Sequence, residues 1–215
     1  MIPTSNDIIS ASGFHPSRVF NIYVFGSRVY GTADSKSDWD IIMVANNSVE
    51  STELPGLKRG LYNIHVYTPK KFQEDLDWHR INNIECIFAP DWAKLKEDIK
   101  FKFKFDTAKF RHAVSHISSN SWVKCKKKLA QDEYYVGIKS LFHSIRIPMF
   151  ALQIANFGEI VDFQEANYIW DELTFKDLPQ YMRDKNKWTW DQLDKRWRPV
   201  LNSVLTDFRK LAAKD

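Results

Sequence analysis

Three short runs of β-branched and aromatic residues lie close together in the first third of the chain, and they limit its fold more than any other feature. They span residues 19–25, 40–45 and 61–68. Runs of this length and composition are typical of β-strands. Beyond about residue 106 long helical segments take over, expected near 107–131, 134–157, 161–173 and 190–213. The sequence therefore predicts an α/β (α+β) N-terminal domain over residues 1–106 and a helical C-terminal domain over residues 107–215.

Glycine and proline set the expected limits of the elements between these runs. Gly13 and Pro16 end a first helix, and Pro69 begins a helix after the third run, because proline is favoured in the first helical turn. Residues 46–60 are expected to form a loop or a short helix. Residues 99–106 alternate lysine and phenylalanine, which predicts a strand with its lysines on one face.

The composition excludes several classes of protein. Of the 215 residues, 44% are hydrophobic and 14% aromatic, which is enough apolar material for a buried core. No apolar run approaches the ~20 residues of a membrane span, and the N-terminus lacks the pattern of a secretory signal. Two cysteines, Cys86 and Cys125, make no disulfide framework and fit a reducing compartment. We therefore expect an intracellular, cytoplasmic protein without a membrane partner.

Positive charge is concentrated in the middle of the chain. Residues 94–128 contain eleven Lys and Arg against three acids, a net charge of +8, in a chain whose net charge is +4. Residues 1–90 carry −2. Two interpretations are open: an ordinary solvated surface, or a patch that faces a polyanion such as a triphosphate or a nucleic-acid backbone.

The most informative stretch joins the first two predicted strands. The strand over residues 19–25 runs into Gly26 and Ser27, a polar connection of ten residues follows, and Asp38 and Asp40 open the second strand. Residues two apart in a strand point to the same side, so the two carboxylates are presented together. Two like charges this close need a positive group between them, and Mg²⁺ binds carboxylate and phosphate oxygens.

Gly26 and Ser27 add a second requirement of phosphate chemistry. Glycine lets the backbone approach a ligand closely. Ser27 lies at the expected start of a helix, where backbone N–H groups and its hydroxyl can hold a phosphate. A phosphate cradle beside a carboxylate metal site is suited to metal-assisted phosphoryl or nucleotidyl transfer.

This arrangement resembles the signature of the DNA polymerase beta nucleotidyltransferase superfamily, in particular its small members with a helical C-terminal domain. The signature is an apolar residue, Gly, Gly or Ser, a spacer of about ten residues, and Asp-x-Asp beside apolar residues. The matching residues are Phe25, Gly26, Ser27, Asp38, Asp40, Ile41 and Ile42. The resemblance implies a mixed sheet flanked by helices, and transfer of a nucleoside monophosphate from an NTP such as ATP to an acceptor, with release of pyrophosphate.

The resemblance also implies roles for the residues of the motif. Asp38 and Asp40 are expected to bind Mg²⁺ or Mn²⁺. Gly26 and Ser27 are expected to hold the triphosphate, with assistance from Arg28.

The family usually supplies a third carboxylate from a following strand, and this chain departs from that pattern. The third predicted strand carries Asn63, His65 and Tyr67 on its alternating face, and no acid. The resemblance places His65 at the third position, with Asn63 as the alternative, and a neutral imidazole can act as a general base. Glu85, an acid in an apolar stretch, can reach the site instead or lie exposed on a helix. Altered chemistry, a substituted base and a descendant that only binds are all open.

Helical spacing groups further cations in the C-terminal half. Lys124 lies four residues before Lys128, and Lys139, His143 and Arg146 share one face of the next helix. In related nucleotidyltransferases a helical domain contacts the triphosphate or the acceptor. The candidates for nucleotide binding are therefore Lys124, Lys128, Lys139 and Arg146. Three tryptophans are expected to pack between helices rather than to stack on bases: Trp188, Trp190 and Trp197.

The expected activity is metal-dependent and template-independent nucleotidyl transfer. An RNA 3′ end such as that of tRNA is favoured as the acceptor because of the basic segment, while a protein hydroxyl and a small molecule stay open. Two other functions remain: a catalytically impaired module that binds NTP or RNA, and an interaction protein of the toxin–antitoxin type. The oligomeric state is open.

Overall fold

The described part of the chain comprises residues 2–46, 56–183 and 185–212 in a computed structural model. It divides after Phe105 into two units, called here the N-terminal unit and the C-terminal unit. The predicted loop or short helix over residues 46–60 falls outside the described residues for its central part, 47–55.

The described residues of the N-terminal unit form a five-stranded sheet with helices. The strands are β1 (Val19–Phe25), β2 (Trp39–Ala45), β3 (Leu57–Arg59), β4 (Tyr62–Tyr67) and β5 (Lys94–Glu97). The helices are α1 (Ser5–Ser12), α2 (Ser27–Tyr30), α3 (Pro69–Asp77) and α4 (Ile81–Ile87). The strand order is β3-β4-β2-β1-β5, in which β2 and β4 are parallel and the other neighbouring pairs are antiparallel. The mixed sheet flanked by helices is confirmed.

Local capping explains where two of these helices begin. Thr4 and Asp7 form a capping box, in which each side chain accepts a hydrogen bond from the other residue's backbone N–H, and Gly13 ends α1 with φ 75°. Thr68 caps α3, and Pro69 occupies its first turn as predicted.

The face of the sheet that carries Tyr23 packs against α3. Phe72 of α3 is fully buried, stacks on Tyr23 at 5.8 Å between ring centroids, and meets Tyr67 edge-on. Phe25 lies two residues beyond Tyr23, so it projects from the same face. This hydrophobic contact fixes α3 on the face whose end carries the candidate site.

The predicted strand over residues 99–106 is wrong. β5 ends at Glu97, and residues 100–106 have no regular secondary structure. The side chain of Gln73 donates to the Lys102 carbonyl at 2.7 Å and accepts from the Lys102 N–H at 3.1 Å, where a strand would use a neighbouring backbone. Phe101 packs on Phe72 at 4.5 Å between centroids. Phe103 and Phe105 pack on His79, just after α3, so the alternation reflects packing against α3 and the residues that follow it rather than strand pairing.

The C-terminal unit is helical. Its described helices are α5 (Thr107–Leu129), α6 (Tyr134–Phe157), α7 (Asn167–Leu173), α8 (Gln180–Arg183) and α9 (Trp190–Leu211). The helix predicted from residue 161 begins only at Asn167. Gln153 Oε1 accepts the N–H groups of Val161 and Asp162 at 2.8 and 2.9 Å, which holds that segment as a loop.

The long helices of this unit pack through aromatic and small side chains. Phe110 of α5 meets Phe208 of α9 edge-on at 5.6 Å, and Ser118 Oγ donates to the carbonyl of Ser144 on α6. Within the described ranges, no helix is long and apolar enough to cross a membrane.

Candidate active site

Asp40 lies on β2 in the middle of the sheet, in a row of residues that crosses four strands. Its lateral partners are Phe25 on β1 and Asn63 on β4, and Asn63 in turn lies opposite Lys58 on β3. Laterally paired side chains project from the same face of a sheet. The row therefore brings a carboxylate, an amide and an ammonium group together at the end of one face.

The carboxylate of Asp40 is held from two sides. Asn63 Nδ2 donates a hydrogen bond to Asp40 Oδ1 at 2.8 Å. On the other side lies Gly26, whose φ of 77° is readily adopted only by glycine. A Cβ at Gly26 would lie 2.7 Å from Asp40 Oδ2, closer than van der Waals contact allows. Glycine is therefore required at this position to admit the carboxylate.

Asp38 lies one residue before β2 and forms an ion pair with Lys58. Lys58 Nζ is 2.7 Å from Asp38 Oδ2, and the two side chains are 67% and 36% exposed. Exposed ion pairs of this kind contribute ~0–1 kcal/mol, so a divalent cation can displace the lysine at small cost. The sequence reasoning missed Lys58. The signal that places it is Gly60, which has φ 59° in the turn between β3 and β4.

A network of hydrogen bonds orders the loop before Asp38. Ser37 Oγ donates to Asp34 Oδ1 at 2.9 Å, and the Asp34 N–H donates to Ser37 Oγ at 2.9 Å. The hydrogen bond from Ser37 is the main cause that lowers the pKa of Asp34. Arg28 donates to the Ser37 carbonyl, and its guanidinium lies 4.6 Å from the Trp39 ring centroid. Arg28 therefore anchors the loop that carries Asp38.

Ser27 begins α2, a single helical turn between two glycines with positive φ, Gly26 and Gly31. The Ser27 carbonyl accepts the N–H of Thr32 at 3.0 Å, and the residue is half-buried. Gly26 has no side chain to cap the first N–H groups of the turn. Phosphate binding by these groups stays a prediction.

The structure places Asn63, rather than His65, beside Asp40. The parallel pairing of β2 and β4 aligns His65 with Ile42, two residues further along. The His65 ring meets Phe25 edge-on at 5.9 Å between centroids. Asn63, the alternative for the third position, is thus the direct lateral partner of Asp40, while His65 projects from the same face one pair further along, and its role stays a prediction.

Glu85 is buried on α4, with 2% of its surface exposed, so the alternative of an exposed helical acid is wrong. The hydroxyl of Tyr30, on α2, donates a short hydrogen bond to Glu85 Oε2. A buried carboxylate is costly without such a partner. The contact ties α4 to the helical turn that begins after Gly26.

In the C-terminal unit, three of the predicted nucleotide-binding cations come together around His143. Burial and then the charges of Arg146, Lys139 and Lys124 lower the pKa of His143 well below its ordinary value. Arg146 is 3% exposed, and its Nε donates to His143 Nδ1 at 3.3 Å. The guanidinium also lies 4.6 Å from the Phe150 ring centroid.

Lys128 is separate from this group. Its Nζ forms an ion pair with Glu133 at 2.6 Å, across the turn between α5 and α6. This contact neutralises Lys128 locally.

The carboxylates of Asp38 and Asp40, at the N-terminal end of β2, fit a single Mg²⁺ or Mn²⁺. Asp38 and Asp40 offer hard carboxylate oxygens, and such ions complete their coordination with water and substrate phosphates. The described residues contain no group of three or more His, Cys, Asp and Glu that could hold a metal. Asn63 directs an N–H donor at Asp40 rather than a third anionic ligand.

The domain family that this part of the chain matches agrees with the geometry. The family model of the nucleotidyltransferase domain covers residues 12–116. Residues 12–116 belong to the nucleotidyltransferase family. The nucleotidyltransferase domain contains Gly26, Asp38, Asp40 and Asn63, and it identifies the chain as an enzyme of this class.

Two solved structures are similar to this chain at low identity. Spectinomycin adenyltransferase from Enterococcus faecialis, crystallised with ATP and spectinomycin, is 11% identical with a TM-score of 0.43, over 96% of this chain and 100% of that one. A nucleotidyltransferase-like protein from Exiguobacterium sibiricum is 12% identical with a TM-score of 0.32, over 97% of this chain and 73% of that one. Values this low say nothing about the substrate. No curated protein sequence matches the chain.

Proposed function

We propose that this nucleotidyltransferase moves a nucleoside monophosphate from an NTP to an acceptor hydroxyl, with Mg²⁺ or Mn²⁺ and without a template. The observation that carries the proposal is that Asp38 and Asp40 lie two residues apart at the start of β2, with the Asp40 carboxylate against Gly26. Asp38 and Asp40 would hold a divalent ion, which would supply positive charge to the triphosphate and to the leaving pyrophosphate.

The residues around Asp38 and Asp40 have different roles in this proposal. Asn63 orients Asp40 by donating a hydrogen bond from its amide. Lys58 forms an ion pair with Asp38, which a bound cation would replace. The first turn of α2, with Ser27, holds phosphate oxygens. Arg28 keeps Asp38 in position through the loop.

The acceptor hydroxyl needs a group that takes its proton, and His65 is the candidate we favour. It is half-buried and projects from the same face of the sheet as Asp40. Glu85, by contrast, is buried and accepts a hydrogen bond from the Tyr30 hydroxyl. A neutral imidazole can accept a proton near neutral pH. Lys124 and Lys139, beside His143, are the candidate contacts of the triphosphate or acceptor in the C-terminal unit.

We favour an RNA 3′ end, such as that of tRNA, as the acceptor. The support is the net charge of +8 over residues 94–128, which attracts a polyanion. ATP is the nucleotide to test first among the four NTPs.

The test is incorporation of label. The purified protein is incubated with Mg²⁺ or Mn²⁺ and each α-labelled NTP, with and without bulk tRNA, and released pyrophosphate is measured in parallel. We expect label on RNA with the wild type, none with Asp38→Ala/Asp40→Ala, and wild-type incorporation with Asp91→Asn, an exposed acid of the same unit. Label on the protein itself would show that the acceptor is a protein hydroxyl and not RNA.

A second candidate is a module that binds NTP or RNA without turnover. The amide of Asn63, in place of a third carboxylate beside Asp40, favours it. NTP binding that requires Asp38 and Asp40, together with no pyrophosphate from any NTP, would establish this candidate and exclude the transferase.

A further inference from the structure

A pocket of about 350 Å³ in the C-terminal unit combines aromatic walls with lysines, and the proposed chemistry does not use it. It lies between the turn that joins α5 to α6 and the segment that leads into α9. Its lining residues are Lys126, Leu129, Ala130, Asp132, Tyr134, Lys187, Trp188, Thr189 and Trp190. The volume lies within the range of small-molecule sites.

The aromatic walls are held in place by neighbouring rings. Trp190 meets Trp122 edge-on at 5.7 Å between centroids, and Trp122 in turn lies under the Arg198 guanidinium at 5.1 Å. Trp188 stacks on Phe175 at 5.3 Å with an interplanar angle of 12°. The expectation that these tryptophans only pack between helices is incomplete, because Trp188 and Trp190 also line the pocket. Walls fixed in this way cost little ordering when a ligand binds.

Positive charge accompanies the rings. The Lys126 ammonium lies 5.7 Å from the Trp190 ring centroid, and the Lys187 ammonium lies 5.7 Å from that of Tyr134. Both lysines are exposed. The pocket therefore offers a planar apolar surface and two cations.

Acids near the pocket leave this balance positive. Asp132 is one of the lining residues. The pKa of Asp194 is lowered mainly by a hydrogen bond from Arg198, and the positive charge of nearby Lys126 lowers it further. Arg198 and Asp194 form an ion pair with each other. The two lysines thus face one lining acid.

We propose that this pocket binds a nucleotide unit, with the base against the Trp188 and Trp190 walls and the phosphate on Lys126 and Lys187. Bases stack on aromatic side chains whatever their sequence, and lysines track the phosphates. This inference does not depend on the catalytic proposal, because every residue involved lies in the C-terminal unit.

The test separates this pocket from the site at Asp38 and Asp40. Binding is measured by calorimetry on the Asp38→Ala/Asp40→Ala variant in EDTA, with AMP, adenosine and single-stranded oligoadenylate as ligands. We expect AMP to bind and adenosine to bind at least about tenfold more weakly, since it lacks the phosphate. Oligoadenylate that binds more tightly than AMP would identify a single strand as the source of the nucleotide, and equal affinity a free nucleotide.

Variants of the lining residues decide whether the pocket is responsible. Trp188→Ala removes one aromatic wall of the pocket, and Lys126→Ala/Lys187→Ala removes both cations. We expect each to weaken AMP binding several-fold to about tenfold. Lys195→Ala, at an exposed lysine of α9 outside the lining, should bind as the parent does. No AMP binding by the parent, or unchanged affinity in both pocket variants, would overturn the proposal.

Discussion

Gly26 and Asn63 decide, at the scale of the single residue, how Asp40 is presented. Gly26 admits the carboxylate because it has no Cβ, and Asn63 orients it by donating one hydrogen bond. Neither effect needs a charge. Both hold the Asp40 side chain where it can bind a cation together with Asp38.

Gly26→Ala tests the close approach. The new Cβ would meet Asp40 Oδ2 at 2.7 Å and would also be strained at φ 77°, at a cost of about 1–3 kcal/mol. Gly13→Ala is the matched control, because Gly13 has φ 75° and nothing within 4 Å of a Cβ. We expect both variants to lower the melting temperature, and only Gly26→Ala to lose the part of NTP binding that depends on Mg²⁺. The same Mg²⁺-dependent gain in NTP affinity in the two variants would contradict the role of Gly26.

Asn63→Asp tests the third position. Without metal, the exchange replaces a hydrogen bond by a pair of like charges, and we expect it to destabilise the fold by about 1–3 kcal/mol. With millimolar Mg²⁺ the added carboxylate becomes a ligand, so the melting temperature should rise more than in the wild type. Thermal unfolding in EDTA and in Mg²⁺ measures both, and Asn82→Asp, at an exposed position of α4, is the control. A variant indifferent to Mg²⁺ would exclude metal binding beside Asp40.

At the scale of the element, pairing between strands and helices brings together residues far apart in sequence. The hairpin of β3 and β4 sets Lys58 opposite Asn63, and the parallel pairing of β4 with β2 sets Asn63 opposite Asp40. In the C-terminal unit, packing of α5 on α6 places Lys124 close to His143. Register and packing therefore determine the charge around each site.

His143 on α6 predicts a pH dependence of stability. Its pKa in the fold is lowered mainly by burial, so the unfolded chain, with an ordinary pKa of ~6.5, binds the proton more readily. The unfolded state then carries more protons, and the free energy of unfolding falls as the pH drops below about 6.5. His143→Gln removes this proton uptake, so its stability should fall less between neutral and acidic pH. Denaturant titrations at several pH values measure this.

The control for this experiment is His112→Gln, at an exposed position of α5. It should show the pH dependence of the wild type. If His143→Gln lost stability as steeply as the wild type, protonation of His143 would not be the cause.

At the scale of the whole molecule, the division after Phe105 separates an α/β unit, which contains Asp38 and Asp40, from a helical unit, which contains Lys124, Lys139 and Arg146. The basic segment over residues 94–128 runs through the division. A net charge of +8 there makes any binding of RNA dependent on salt.

RNA binding is therefore expected to weaken by about tenfold or more between 50 and 200 mM salt, because phosphate contacts release counterions. Lys124→Gln/Lys126→Gln/Lys127→Gln removes three cations of the segment and should flatten the plot of log affinity against log salt. Filter binding of labelled tRNA measures the slope. A slope that the triple variant leaves unchanged would mean that these lysines do not contact RNA.

The sequence by itself determined the order and type of most elements. Strands and helices depend on local composition, caps and prolines, so β1, β2 and β4 and the long helices α5, α6 and α9 were predictable. The Gly-Ser and Asp-x-Asp motif was likewise visible, because it is contiguous. The strand predicted from the alternation over residues 99–106 was wrong, because a segment that packs on a helix can show the same alternation as a strand.

Tertiary structure alone decided which side chain lies beside Asp40. The choice between His65 and Asn63 depends on the register of β4 against β2, which is set by pairing between segments distant in sequence. The burial of Glu85 and its bond to Tyr30 depend on how α4 meets α2. The pocket at Trp188 likewise needs two segments about sixty residues apart to come together. Local patterns set the elements, and contacts distant in sequence set the chemistry between them.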